Sequence, residues 1–114
     1  MTLPETLWSG PRTSVFTPQT AGKLASLAQP FNAKPRYSIT VKSRTDDSGD
    51  PATIQSVTDK RSYAVAEELA SMGFPERRIV AKGLGARVPI VPNTTLANRA
   101  KNTRVLIVLT YDPQ

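Results

Sequence analysis

Residues 58–75 read TDKRSYAVAEELASMGFP and form the best-defined element of the chain. Their apolar residues recur at helical spacing between a start signal and a stop signal. Thr58 is a good N-cap residue, and Gly73 followed by Pro75 is typical of a helix end. The stretch therefore predicts an amphipathic helix of about four turns that begins at Thr58.

Strand patterns lie on both sides of this helix. Residues 37–42 alternate apolar and polar side chains, and residues 79–82 and 104–110 form two further candidates. The last strand carries an unbroken apolar run, so we expect it to be buried on both faces and central in a sheet. The periodic pattern predicts six core residues: Val65, Leu69, Ile79, Val105, Ile107 and Leu109.

Two shorter helices complete the pattern. Apolar residues spaced three and four apart over residues 18–31 predict one helix, which Pro30 ends. Residues 95–101 predict another, with Thr95 as its N-cap residue. Helices that alternate with strands predict an α/β fold of the two-layer type (α+β), in which helices pack on a sheet.

The N-terminal part differs in character from the rest of the chain. Residues 1–17 are rich in Pro and Gly with little periodicity, so we expect an irregular segment with a short first strand between about Thr6 and Phe16. Residues 18–112 are assigned to the domain itself. Trp8 lies outside the main pattern and either anchors this segment to the domain or docks on a partner.

The composition excludes most catalytic chemistry. The 114 residues include no His and no Cys, so the common ligand sets of zinc, iron–sulfur clusters and haem are absent. Nucleophile–base pairs built on Cys or His are absent as well. We therefore expect no enzyme activity, no catalytic residues, no metal site and no cofactor. The apolar runs of the sequence are far shorter than the roughly 20 residues that a membrane-spanning helix needs. We therefore expect no membrane span in this chain.

The charge balance is mildly basic. Fifteen Lys and Arg against nine Asp and Glu give a net charge of +6. Such a domain is drawn to polyanions such as nucleic acid, acidic lipid or acidic cell-wall polymer, or the excess is simply a solvated surface. The basic residues occur singly or in pairs and alternate with acids, without interleaved aromatics. Nucleic acid is therefore not an expected partner.

One pair of charges lies where a ligand could bind. Asp46 begins a polar loop over residues 43–56, and Arg61 lies near the predicted helix start, where the helix dipole disfavours a cation. The carboxylate could hold an ammonium group while the guanidinium holds a carboxylate, and together they would recognise a zwitterion. An ordinary loop-to-helix salt bridge is the alternative. A calcium loop is not indicated, because the EF-hand spacing is absent.

Three segments in order resemble a known family. They are TDDSG at 45–49, VTDKRSYAV at 57–65 and MGFPERRI at 72–79. They are similar to the patterns T-D-x-x-G, L-S-x-x-R-A-x-x-V and G-x-x-x-x-R-I of the peptidoglycan-binding OmpA-like domain, the type found in OmpA, Pal and MotB. Residues 83–90 and 93–105 resemble its remaining segments in the same order.

This resemblance implies a fold and a ligand. The fold would be β-α-β-α-β-α-β with a mixed sheet. The domain would lie in the periplasm of a Gram-negative bacterium, associated with the outer membrane or cell wall. It would bind the stem peptide of peptidoglycan noncovalently, chiefly through diaminopimelate. The implied binding residues are Asp46, Arg61, Thr45 and Gly49, with Asp47, Thr58, Asn102 and Arg104 at the pocket rim.

The sequence also departs from the family pattern. Ser43-Arg44 replaces the usual G-H, Ile54 replaces an Asn of the loop, and residues 7–13 lack the usual acid while containing Arg12. These changes leave a second function open. In that alternative the domain is a structural subunit of an envelope assembly, such as a secretion system, and uses the fold to contact envelope proteins.

Overall fold

The computed structural model describes residues 2–3, 8–10, 13–18, 20, 22, 24, 26, 37–87, 89 and 91–111. The strands of this part are β1 (Thr2–Leu3), β2 (Tyr37–Arg44), β3 (Ile79–Gly83) and β4 (Arg104–Tyr111). The helices are α1 (Pro51–Ser71) and α2 (Leu96–Asn102), with a 3₁₀ turn at Glu76–Arg78.

The strands form one sheet in the order β1-β4-β2-β3. β2 and β3 run parallel, as expected for two strands joined through α1, whereas β4 is antiparallel to both β1 and β2. The mixed sheet with helices packed on it confirms the predicted two-layer α/β fold. β4 is central, as predicted, but only alternate residues in its first half are fully buried, so its two faces are not equally covered.

Helix α1 begins earlier than the sequence pattern predicts. Asp50 is the N-cap residue, its Oδ2 accepts a hydrogen bond of 3.0 Å from the backbone N–H of Thr53, and Pro51 occupies the first turn. Pro is favoured there because its missing N–H has no partner in a first turn. The predicted start at Thr58 is therefore wrong, and the predicted loop over residues 43–56 is confined to residues 45–50. Ile54 is a buried helix residue.

The core lies between α1 and one face of the sheet. Four of the six predicted core residues are buried, namely Val65, Leu69, Val105 and Ile107. Ile79 and Leu109 are half-buried and pack against the same cluster. The burial of alternate residues on β2 and β4 shows that the opposite sheet face is less covered.

The N-terminal segment contributes to this core. The strand that pairs with β4 is Thr2–Leu3, not a strand between Thr6 and Phe16. Trp8 and Phe16 instead pair with each other through an isolated antiparallel bridge. Both Leu3 and Trp8 are buried in the core cluster, so Trp8 anchors the segment to the domain. The boundary between an N-terminal segment of residues 1–17 and a domain of residues 18–112 stays a prediction.

The two shorter helices agree with the pattern where the structure describes them. Thr20, Gly22, Leu24 and Ser26 are helical, and Leu24 is fully buried. Pro30 and the other apolar residues of that predicted helix lie outside the described residues. Thr95 caps α2 by accepting a 3.1 Å hydrogen bond from the backbone N–H of Asn98. None of the helices in the described ranges is long and apolar enough to cross a bilayer.

Gly83 allows α1 to approach the sheet closely. A Cβ atom at this position would overlap the backbone N and a carboxylate oxygen of Asp59 and lie 2.8 Å from its Cα. Gln55 stabilises this contact between α1 and β3. Its Nε2 donates to the backbone oxygen of Gly83 at 2.7 Å and to the Asp59 carboxylate at 2.9 Å. Close helix packing here brings the first half of α1 against the end of β3.

We expect Gly83→Ala to lower the free energy of unfolding by about 1–3 kcal/mol, because the backbone of Asp59 must move. Urea denaturation measures this change. Gly22→Ala is the matched control, since a Cβ there has nothing within 4 Å and Ala favours a helix. Equal stability of the two variants would show that the close approach does not constrain the fold.

Candidate functional site

The loop after β2 is held at one end of the sheet by segments distant in sequence. The backbone N–H of Thr45 donates to the Gly85 carbonyl at 3.1 Å, and that of Leu84 donates to Ser43 at 2.9 Å. The backbone N–H of Asp46 donates to Oγ1 of Thr103 at 3.3 Å. The candidate residues of the loop therefore meet the turn after β3 and the residue between α2 and β4.

The Asp46 carboxylate is oriented by the loop itself. Its Oδ1 accepts a 2.9 Å hydrogen bond from the backbone N–H of Ser48, which is the geometry of an Asx turn. Gly49 follows with a φ of 107°, a conformation that residues with a Cβ rarely adopt. Asp46 is half-buried, whereas Asp47 and Gly49 are exposed. The loop thus presents a carboxylate of fixed orientation at the edge of the sheet.

A cavity of 350 Å³ adjoins this loop. Its size falls in the range of small-ligand sites, about 300–1,000 Å³. It is lined by Asp47, Gly49, Pro51, Ile54, Gln55, Gly85, Ala86 and Arg87. Apolar side chains and the opposite charges of Asp47 and Arg87 suit a small ligand that carries both charged and apolar groups. A more open depression of 410 Å³ lies beside α1 and includes none of the predicted site residues.

Arg61 lies in the middle of α1 and is completely enclosed, with 0% of its surface exposed. Its Nε donates to the backbone oxygen of Thr13 at 2.8 Å, and its Nη2 donates to that of Gly10 at 3.5 Å. Its Cζ lies 4.7 Å from the centre of the Trp8 ring. Trp8 in turn stacks on Phe16 at 5.0 Å. Arg61 thus binds the N-terminal segment to the helix.

This position corrects the argument from the helix dipole. Because α1 starts at Pro51, Arg61 is far from the helix start and the dipole exerts little effect on it. Asp46 bonds Ser48 and Thr103, and Arg61 bonds the N-terminal segment. The 350 Å³ cavity is lined by neither residue. A joint role for the two stays a prediction.

Two arginines face each other beside the same loop. Arg44, the last residue of β2, is directly opposite Arg104, the first residue of β4. Nε and Nη1 of Arg44 and Nε of Arg104 are buried without a hydrogen-bond partner. Burial, and secondarily the charge of Arg104, lower the pKa of Arg44. Arg44 nevertheless stays protonated at neutral pH, as arginines in proteins do.

The motifs of the chain match a known family. The OmpA family profile matches residues 10–103. The chain belongs to the OmpA family. It is 29% identical over 94 residues to the outer-membrane lipoprotein YfiB of Pseudomonas aeruginosa, an alignment that covers 82% of this chain and 56% of YfiB.

Two further relatives show the same relationship. The chain is 34% identical over 86 residues to the peptidoglycan-binding protein ArfA of Mycobacterium tuberculosis, covering 75% of this chain and 26% of ArfA. The crystal structure of a MotB-like protein from Desulfovibrio vulgaris matches with a TM-score of 0.83 and 31% identity, over 96% of this chain and 70% of that one. The chain therefore spans about half of YfiB and about a quarter of ArfA.

Two of the predicted rim residues of this OmpA-family domain are buried and hold backbone in place. The hydroxyl of Thr58 donates to the backbone oxygen of Gln55 and accepts from the backbone N–H of Gly85 at 3.1 Å. Asn102 is fully buried, and its side-chain amide bonds both the N–H and the carbonyl of Val91 as well as the side chain of Asn93. Their contacts fix the loops that surround the cavity and the end of the sheet.

We expect Asn102→Ala to lower the free energy of unfolding by about 2–3 kcal/mol, because buried polar groups of residues 91–93 lose their partner. Thermal and urea denaturation measure the change. Asn98→Ala, in the same helix, removes an amide that is only half-buried and leaves these bonds intact. An Asn102→Ala variant as stable as Asn98→Ala would contradict the structural role.

Proposed function

We propose that this domain binds peptidoglycan noncovalently through the diaminopimelate residue of its stem peptide. By this binding it would tether an envelope protein or complex to the cell wall in the periplasm, at the outer membrane or wall. One observation carries the proposal: the fold brings the Thr45–Gly49 loop, Gly85 and Thr103 together beside a cavity of ligand size. Family membership and the peptidoglycan-binding relative ArfA support it.

The chemistry of the loop suits the ammonium end of such a ligand. Asp46 supplies a carboxylate whose orientation is fixed by Ser48, and the exposed Gly49 supplies backbone groups beside it. Thr45 is buried and acts by holding the loop to Gly85. Asp47 lies on the wall of the adjoining cavity, where it can contact the rest of the peptide. Thr58 and Asn102 act indirectly, because their polar atoms hold the surrounding backbone.

Arg61 would bind the ligand carboxylate, and this requires the N-terminal segment to move. Its guanidinium must exchange the carbonyl oxygens of Thr13 and Gly10 for carboxylate oxygens. Hydrogen bonds to charged groups contribute about 1.5–3 kcal/mol each, so the exchange is feasible only for a strong acceptor. A carboxylate that binds the guanidinium at two points is such an acceptor.

We expect Asp46→Asn and Arg61→Lys each to weaken binding by at least about 30-fold, or about 2 kcal/mol. The first leaves the ligand ammonium without its charge partner, and the second keeps the charge but loses the planar fork that binds a carboxylate at two points. The assay is titration with a soluble diaminopimelate-containing muropeptide, supported by pelleting with purified sacculi. Glu67→Gln is the control, since it makes the same charge change as Asp46→Asn at an exposed position of α1.

Denaturation curves of all three variants exclude loss of fold as the cause. Muropeptide affinity that is unchanged in folded Asp46→Asn would remove Asp46 from the site. Affinity that is unchanged in folded Arg61→Lys would assign Arg61 to structure alone.

The single tryptophan of the chain gives a direct readout of the exchange at Arg61. Trp8 lies against the Arg61 guanidinium, so release of the segment changes its surroundings. We expect saturating muropeptide to shift and reduce the Trp8 fluorescence, with the same midpoint as binding. A muropeptide that binds without altering Trp8 emission would show that the ligand does not reach Arg61.

The second candidate function is a structural subunit of an envelope assembly that uses the fold for protein contacts. The complete enclosure of Arg61 by the chain itself favours it, because the guanidinium already has internal partners. This function predicts no saturable muropeptide binding by the wild-type chain and co-precipitation with envelope proteins instead. Saturable binding that depends on Asp46 decides in favour of the cell wall.

A further inference from the structure

The sheet face turned away from α1 is strongly basic. Ile39, Val41 and Ser43 of β2 are buried on the helix side, so the residues between them point to the other face. Cross-strand register places Lys42 beside Lys82 of β3 and Arg44 beside Arg104 of β4. These four residues share the face, and β2, β3 and β4 contain no Asp or Glu. Positive charge is therefore concentrated along these strands.

Arg44 and Arg104 are the residues of this face whose arrangement suits a ligand-binding site. They stand directly opposite each other on neighbouring strands, where like charges destabilise the pair. Three of their guanidinium nitrogens are buried without a hydrogen-bond partner. Buried polar atoms in native proteins are nearly always hydrogen-bonded, so a pair of this kind indicates that an acceptor binds there.

The charge and donor geometry define the class of ligand. Two guanidinium groups carry two positive charges and several donors in planar forks that match oxyanions at two points. A carboxylate neutralises only one of these charges. A phosphate monoester carries a charge of about −1.5 to −2 at neutral pH and three acceptor oxygens, so it can bond both arginines at once.

We propose that Arg44 and Arg104 form a binding site for a phosphate group, on the sheet face that adjoins the Thr45–Gly49 loop. Lys42 and Lys82 extend the positive potential along the same face and attract the anion toward the arginines. The phosphate can be free or can belong to a lipid headgroup presented at a membrane surface. Both sources share the chemistry that the arginine pair recognises.

The first test uses inorganic phosphate at constant ionic strength, with chloride as the balancing anion. We expect saturable binding by calorimetry and a rise of the melting temperature with phosphate concentration. Arg44→Gln and Arg104→Gln should each weaken binding at least about tenfold, because one fork is lost. Arg77→Gln is the matched control, since Arg77 is an exposed arginine of the 3₁₀ turn.

A second variant and a second probe complete the test. Arg44→Lys keeps the charge but loses the planar fork, and should weaken phosphate binding while the melting temperature without phosphate stays close to wild type. Flotation with phosphatidic acid vesicles, compared with phosphatidylcholine vesicles, detects a lipid source. Binding to phosphatidic acid that both glutamine variants lose supports the site and assigns it to a headgroup. Absence of saturable binding to both probes, or equal loss in Arg77→Gln, would overturn the proposal.

Discussion

The guanidinium of Arg61 imposes the main constraint on this domain, because a charge buried at the centre of a helix needs hydrogen-bond partners. Its described partners are the backbone oxygens of Thr13 and Gly10 and the face of Trp8. A cation against a desolvated indole contributes up to about 2 kcal/mol. The N-terminal segment is thereby fixed on α1, and Trp8 and Leu3 reach the core.

This arrangement links the architecture to the proposed binding. The loop that contains Asp46 is held by the turn after β3 and by Thr103, so its geometry is set by the sheet and not by the N-terminal segment. Arg61, in contrast, is held by that segment. A ligand that contacts both residues therefore binds a rigid loop at Asp46 and also displaces the N-terminal segment from Arg61. The free energy of displacing this segment reduces the affinity for the ligand. A protein partner on the same surface would leave Arg61 enclosed.

Much of the fold follows from the sequence, and the errors have identifiable physical causes. Strands β2, β3 and β4 and the cap of α2 at Thr95 were readable from alternation and capping residues, whereas β1 was placed too late in the chain. The start of α1 was not, although Asp50 and Pro51 are a standard N-cap and first-turn pair, because the acidic residues around them favour a loop interpretation. Local pattern also cannot show that Arg61 is buried, since its partners are backbone oxygens about fifty residues away, which any sequence could supply.

The side-chain NMR spectrum of Arg61 tests the central claim most directly. If its Nε–H donates to Thr13 in the enclosed site, the Nε–H resonance exchanges with water far more slowly than those of exposed arginines, and shows nuclear Overhauser contacts to the Trp8 ring. Both signals should be present in the ligand-free domain. A rapidly exchanging Arg61 Nε–H with no contact to Trp8 would contradict the account, because the segment would then not be tied to the helix.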